Sequence, residues 1–175
     1  LAGVTQRNQV QEKSNLDLNK SDLDFKSIST VYARPGGGKT TWSKRVCLAC
    51  LADDAVFLFE QRPLKKWRTE KSLLPVFLCC RNMAEIENTG EKGFLSLAYE
   101  LIALSFGKRF LHNYSEQDFH ELMGGKAADG SMLLIADGWD ELADEERIEY
   151  FENTLKRFLA NNPKVKCVIT TRGQH

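Results

Sequence analysis

Short, nearly continuous apolar runs alternate along this chain with longer stretches in which apolar residues recur every three or four positions. Runs of the first kind suit strands buried between two layers, and stretches of the second kind suit helices laid against a sheet. The first run spans 26–33, with Ile28 to Tyr32 as its β-branched centre. A helix-like stretch follows from Thr40 to about Asp53, in which Trp42, Val46, Ala49 and Cys50 share a face. Leu73 to Arg81 reads as a second strand, apolar enough to be buried on both faces, with Pro75 near its start, where a missing N–H costs least. Phe94, Leu97, Ala98, Leu101 and Ile102 mark a second helix. Ser115 to Asp118 has the pattern of a capping box and opens a third, with Phe119, Leu122 and Met123 on one face and Gly124-Gly125 as its end. Met132 to Ala136 is a third strand running into Asp137. Asp144 to Asn161 is a fourth helix with Ile148, Phe151, Leu155, Phe158 and Leu159 as its apolar stripe, stopped by Pro163. Val165 to Thr170 forms a fourth strand that leads into Thr171-Arg172.

Strands alternating with helices predict an α/β fold, a mostly parallel sheet with helices on both faces. Residues 1–25 are polar and read as a linker or lead-in, and 26–175 as the domain. Between 53 and 73 the period is ambiguous: Val56 to Phe59 fits either element, and Arg62 to Trp67 interrupts it. Glu85 to Lys92 reads as a polar loop. With 42% hydrophobic residues in 175, the chain can bury one core. Its formal net charge of zero lacks the electrostatic footprint of a general nucleic-acid binder. No apolar run reaches membrane-span length and no signal pattern opens the chain, so a cytoplasmic protein without nucleic-acid or membrane partners is expected. Starting at Leu1 and stopping at His175, shortly after a strand-like run, both ends read as cut from a longer polypeptide. Cys47, Cys50, Cys79, Cys80 and Cys167 all lie in apolar segments and read as core thiols. Cys47 and Cys50 have C-x-x-C spacing but no second ligand pair, so no metal cluster is expected.

The candidate chemistry begins at Ala33-Arg34-Pro35-Gly36-Gly37-Gly38-Lys39-Thr40-Thr41, between the first strand and the first helix. Strand, glycine-rich loop and helix in that order bring backbone N–H groups and a helix N-terminus onto one anion. Arg34 to Thr41 are therefore the candidate nucleotide-binding residues. Lys39 would neutralise the outer phosphates, Thr40 would reach Mg²⁺ through its hydroxyl, and the N–H groups from Gly36 to Thr41 would wrap the phosphates. The pattern G-x-x-x-x-G-K-[ST] wants glycine where this chain has Ala33, at a cost of about 1–2 kcal/mol if that position needs a left-handed backbone. Asp137, acidic at the end of a buried strand, is the candidate metal ligand, because ligands of open α/β sheets gather at that edge. Asp140 and Glu141 are the candidate catalytic acids, able to orient or deprotonate a water. A surface acidic turn would explain those two, but not Asp137. Arg172 is a candidate γ-phosphate sensor, a solvated arginine being the alternative. Asn19-Lys20-Ser21-Asp22 matches a guanine-recognition pattern, yet it stands too close to the loop to follow a strand and crossover, and it reads as a turn.

In this order, the loop, Asp137-Gly138-Trp139-Asp140-Glu141 and Ile169-Thr170-Thr171-Arg172 resemble the NACHT domain of the STAND class of P-loop NTPases, the NOD-like receptor type. The resemblance covers roughly residues 27–175 and is most specific at Gly138, a tiny residue after the metal-binding Asp, with the acidic pair beyond. Val76 to Arg81 is similar to that family's second strand. The related NB-ARC domains fit less well. The resemblance implies an ATP/ADP switch with Mg²⁺, slow hydrolysis, oligomerisation of the full-length parent, a role in innate immune signalling and protein signalling partners outside this stretch. It also implies a missing last strand, which would leave Ile28 to Tyr32 on an unpaired edge. A nucleotide-binding scaffold without hydrolysis and a small-molecule phosphotransferase remain as alternatives, and adenine over guanine rests on the resemblance alone.

Overall fold

The computed structural model describes residues 28–52, 72–87, 92–107, 114–142 and 144–172. The polar lead-in, the guanine-recognition pattern at 19–22 and the ambiguous segment from Val56 to Trp67 lie outside them. Four strands, β1 (Ile28–Tyr32), β2 (Leu74–Cys79), β3 (Met132–Asp137) and β4 (Lys166–Thr171), form one sheet in the order β1-β4-β3-β2, with every pairing parallel. Four helices accompany it among the described residues: α1 (Lys39–Leu51), α2 (Phe94–Phe106), α3 (Glu116–Asp129) and α4 (Glu145–Asn161).

The period-2 alternation of each strand sorts its side chains onto two faces. On one face Val31, Leu133, Ile135 and Val168 pack with Val46, Ala49 and Cys50 of α1. On the other, Val76, Leu78, Leu134, Ala136, Cys167 and Ile169 pack with the apolar stripes of α2, α3 and α4. Helices thus cover both faces, as expected. β3 is buried at every position because it has a strand on each side and helices above and below. Burying each of Leu133, Leu134 and Ile135 contributes about 1.5–3 kcal/mol.

Three expectations need correction. β2 is not buried on both faces: it is an edge of the sheet, where Val76 and Leu78 are buried while Leu74, Phe77 and Cys79 are only partly so. The strand also stops at Cys79, and Cys80 and Arg81 open a 3-10 turn, Cys80–Glu85, so Arg81 does not end the strand and Glu85 belongs to the turn rather than to a loop. Pro75 fits an edge strand, which has a ladder on one side only. Third, Gly124-Gly125 does not end α3. The helix opens on the expected capping box of Ser115 and Asp118 and continues to Asp129, ending on left-handed Gly130. Phe119, Met123 and Ala127, four residues apart, bury one face and carry the helix through its glycines, whereas Leu122 is 46% exposed.

Candidate functional site

Because all four strands run the same way, the segments that follow them emerge at one edge of the sheet. The glycine-rich loop leaves β1, Arg81 lies just past β2, the turn from Gly138 to Glu141 leaves β3, and Arg172 follows β4.

The loop's shape depends on its glycines. Gly36 and Gly38 are left-handed, with φ of 71° and 80°, a region in which a Cβ is strained. Gly37 donates its N–H to the Arg34 carbonyl at 2.8 Å, and a Cβ on Gly37 would lie 2.8 Å from that same oxygen. The loop delivers the chain into α1 at Lys39, where Gly38 is the N-cap, no side chain caps the helix and no acidic residue stands in the first turn. The first N–H groups of a helix have no intrahelical acceptors, so this terminus offers donors and a positive dipole end to an anion. Arg34, Pro35, Thr40 and Thr41 are exposed around it, and Lys39 is half-buried. Ala33 donates its N–H to the Thr171 carbonyl at 3.3 Å, extending the β1–β4 ladder by one bond.

Asp137 continues the row of Leu133 and Ile135 and so lies on the α1 side of the sheet. It is 5% exposed and accepts three hydroxyl hydrogen bonds. Thr40 Oγ1 donates to Oδ2 at 2.6 Å, Ser43 Oγ to Oδ1 at 2.9 Å and Thr170 Oγ1 to Oδ1 at 2.8 Å. Thr170 in turn accepts the Gly138 N–H at 3.0 Å, so the turn after β3 is tied to β4 as well. Each bond to a charged acceptor contributes about 1.5–3 kcal/mol, and together they hold a buried carboxylate that would otherwise be unfavourable.

Gly138 is left-handed, with φ 78°, and a Cβ there would sit 3.2 Å from Glu141 Cδ. The chain then turns through a short 3-10 segment, Trp139–Glu141. Asp140 pairs with Arg172, Oδ2 to Nε at 2.7 Å and Oδ1 to the main-chain N–H at 2.8 Å. Glu141 lies 3.8 Å from Arg172 Nη2 and 4.0 Å from Arg81 Nε.

The structure therefore brings Thr40 to Asp137, and Asp140 and Glu141 to Arg172. Two side chains in the cluster were not singled out from the sequence. Ser43 stands three residues after Thr40, hence on the same helix face, and Thr170 stands two after Val168 on β4, hence on the α1 side of the sheet with Asp137. The spacing is legible once Thr40 and Asp137 are chosen.

The cysteines take no part in this chemistry. All five are free thiols. Burial, and then the Asp137 charge, push the Cys47 thiol up to about 11, and burial pushes Cys50 and Cys167 to about 12. Cys80, fully buried, is raised well above the ordinary value, again by burial first. All four are therefore neutral near pH 7.

Among the described residues, no three His, Cys, Asp or Glu side chains are grouped so that they could hold a metal ion by themselves, and no helix is long and apolar enough to cross a membrane. Comparisons with protein-family models, curated proteins and solved structures gave no match. The chain's own geometry is thus the ground for a functional reading.

Proposed function

We propose that this edge of the sheet binds a Mg-nucleoside triphosphate, and that the domain is a P-loop nucleotide switch of the NACHT type. The observation that carries the reading is the 2.6 Å bond from Thr40 Oγ1 to Asp137 Oδ2, which joins the first turn of the loop helix to a carboxylate 97 positions further along the chain. A hydroxyl beside a fixed carboxylate, at the mouth of an anion-binding loop, suits a hard cation that is itself bound to phosphate.

The donors fit Mg²⁺ in kind. Thr40 and Asp137 supply oxygen, and Mg²⁺ commonly takes one or two protein oxygens and completes its shell with water and substrate phosphates. When bound, the ion would neutralise charge on the phosphates. The chain's own residues do the rest: the loop N–H groups and Lys39 bind the phosphates, Thr40 and Asp137 would hold the ion, and Asp140 and Glu141 lie beside Arg172 at the same edge. Gly138 occupies the place beside Asp137 where a carboxylate would be the nearest base, so the base must act from Asp140 or Glu141. That favours slow turnover, as in a regulatory switch with ATP and ADP states. A cytoplasmic setting, oligomerisation of the parent protein and protein signalling partners follow from the same reading. Retention of nucleotide without hydrolysis is the second reading, favoured by the glycine at 138.

Nucleotide affinity and phosphate release, compared between the wild-type chain and Lys39→Ala, test the proposal. Lys39→Ala should weaken triphosphate binding by about tenfold or more. Binding with no hydrolysis would favour the second reading, and binding indifferent to Lys39 would defeat both.

A further inference from the structure

We infer that Asp140 and Glu141 have different tasks: Asp140 is a positioning residue that aims Arg172, and Glu141 is the carboxylate left to orient a water. The inference rests on the phosphate-site reading and assigns roles within it. Both oxygens of Asp140 are engaged with Arg172, Oδ1 with its main-chain N–H at 2.8 Å and Oδ2 with its Nε at 2.7 Å. Those two donors lie at opposite ends of the flexible stem, so gripping both sets the course of a side chain that otherwise has large rotamer freedom. Of the terminal nitrogens, Nη2 has only the 3.8 Å contact with Glu141 Oε1, and this is the end of an arginine that binds phosphate oxygens in a fork.

Exposure follows the same division. The Asp140 side chain is 19% exposed, and that of Arg172 51%, so the arginine is held by a largely buried carboxylate while half of its own side-chain surface stays open. Glu141 is held loosely by comparison, at 3.8 Å from Arg172 and 4.0 Å from Arg81, beyond hydrogen-bond distance in both cases. It can exchange either contact for a water without breaking a short bond. Thr170, two residues before Arg172, is tied to Asp137 and Gly138, so the metal-side carboxylate and the arginine are set by one unit, the end of β4 joined to the turn after β3.

The test measures affinity for ADP and for a non-hydrolysable ATP analogue, in Mg²⁺, for wild type, Asp140→Asn, Glu141→Gln, Arg172→Gln and the Asp140→Asn/Arg172→Gln double variant. No turnover is needed. Asp140→Asn should cut the preference for triphosphate over diphosphate by about tenfold, Arg172→Gln should do the same, and the double variant should lose no more than either. Glu141→Gln should keep the preference. The sign is diagnostic, because a carboxylate that serves only as a base repels the triphosphate, and neutralising it would hold or raise the preference. That result, or additive losses in the double variant, would overturn the inference. If Asp140→Asn does not fold, Arg172→Lys answers instead: lysine keeps the charge but has no Nε to grip, so it should not retain the preference, and retention would count against the role of Asp140. Equal Lys39-dependent affinity for both nucleotides in the wild type would overturn this inference alone, and no Lys39-dependent binding would remove the phosphate site as well.

Discussion

Single residues at this sheet edge differ in how much substitution they can bear, and the loop shows the contrast most sharply. Ala33, which departs from the glycine of the phosphate-loop pattern, makes a ladder bond to Thr171, and the loop's left-handed turns fall on Gly36 and Gly38. Ala33→Gly should therefore leave nucleotide affinity within about twofold, whereas Gly37→Ala, whose Cβ would meet the Arg34 carbonyl at 2.8 Å, should abolish it. A titration of both variants checks the pair; a large gain from Ala33→Gly would mean that the alanine does weaken the loop. The loop, Asp137, the acidic pair and Arg172 were legible in the sequence because each carries a residue type that ordinary packing does not call for at that place. Ser43 and Thr170 were not, because a serine in a helix and a threonine in a strand are common and only the approach of α1 to β3 and β4 gives them a carboxylate to bind.

Elements were legible where apolar period and boundary chemistry agreed, and misread where a local signal was opposed by packing. The capping box of Ser115 and Asp118 is local and formed as expected. Gly124-Gly125 is also a local signal, a stop, but the burial of Phe119, Met123 and Ala127 on one continuous face overrides it. Beyond the chain neighbours and the helix's own backbone, neither glycine has an atom within 4 Å of where a Cβ would stand. Replacing either by alanine should then stabilise the domain by up to about 1 kcal/mol, read as a higher urea midpoint. Gly130→Ala should do the reverse, since that glycine has φ 79° and its Cβ would stand 3.0 Å from Lys164 Cβ. A loss of stability on filling Gly124 or Gly125 would contradict this account of α3. The edge position of β2 could not be seen in its composition, because an apolar run fixes a strand's burial only when its neighbours are known, and strand order is a property of the whole sheet.

For the molecule as a whole, the two-faced parallel sheet explains why chemistry from four separated segments meets at one edge, and why its thiols are silent. Cys50 and Cys167 are held neutral by burial up to about 12, against an ordinary value of 9.0. Below pH 9 both folded and unfolded chains keep these protons, so their contribution to stability is fully present. Above it the unfolded chain ionises while the folded one does not, and stability falls with pH until the folded thiols ionise in turn. Urea midpoints should thus drop as pH rises from 9 toward about 12, and the drop should be shallower in a Cys50→Ala/Cys167→Ala variant; identical slopes would show that these thiols play no part. The central claim, that the hydroxyl and carboxylate brought together at Thr40 and Asp137 hold a cation together with a nucleotide, is tested most directly by calorimetric titration of ATP with and without Mg²⁺, in the wild type and in Asp137→Asn. The account predicts that Mg²⁺ tightens binding by about tenfold or more in the wild type and that Asp137→Asn removes most of this gain while leaving Mg-free binding in place. Failure of the wild type to bind, or a gain from Mg²⁺ that survives in Asp137→Asn, would contradict it.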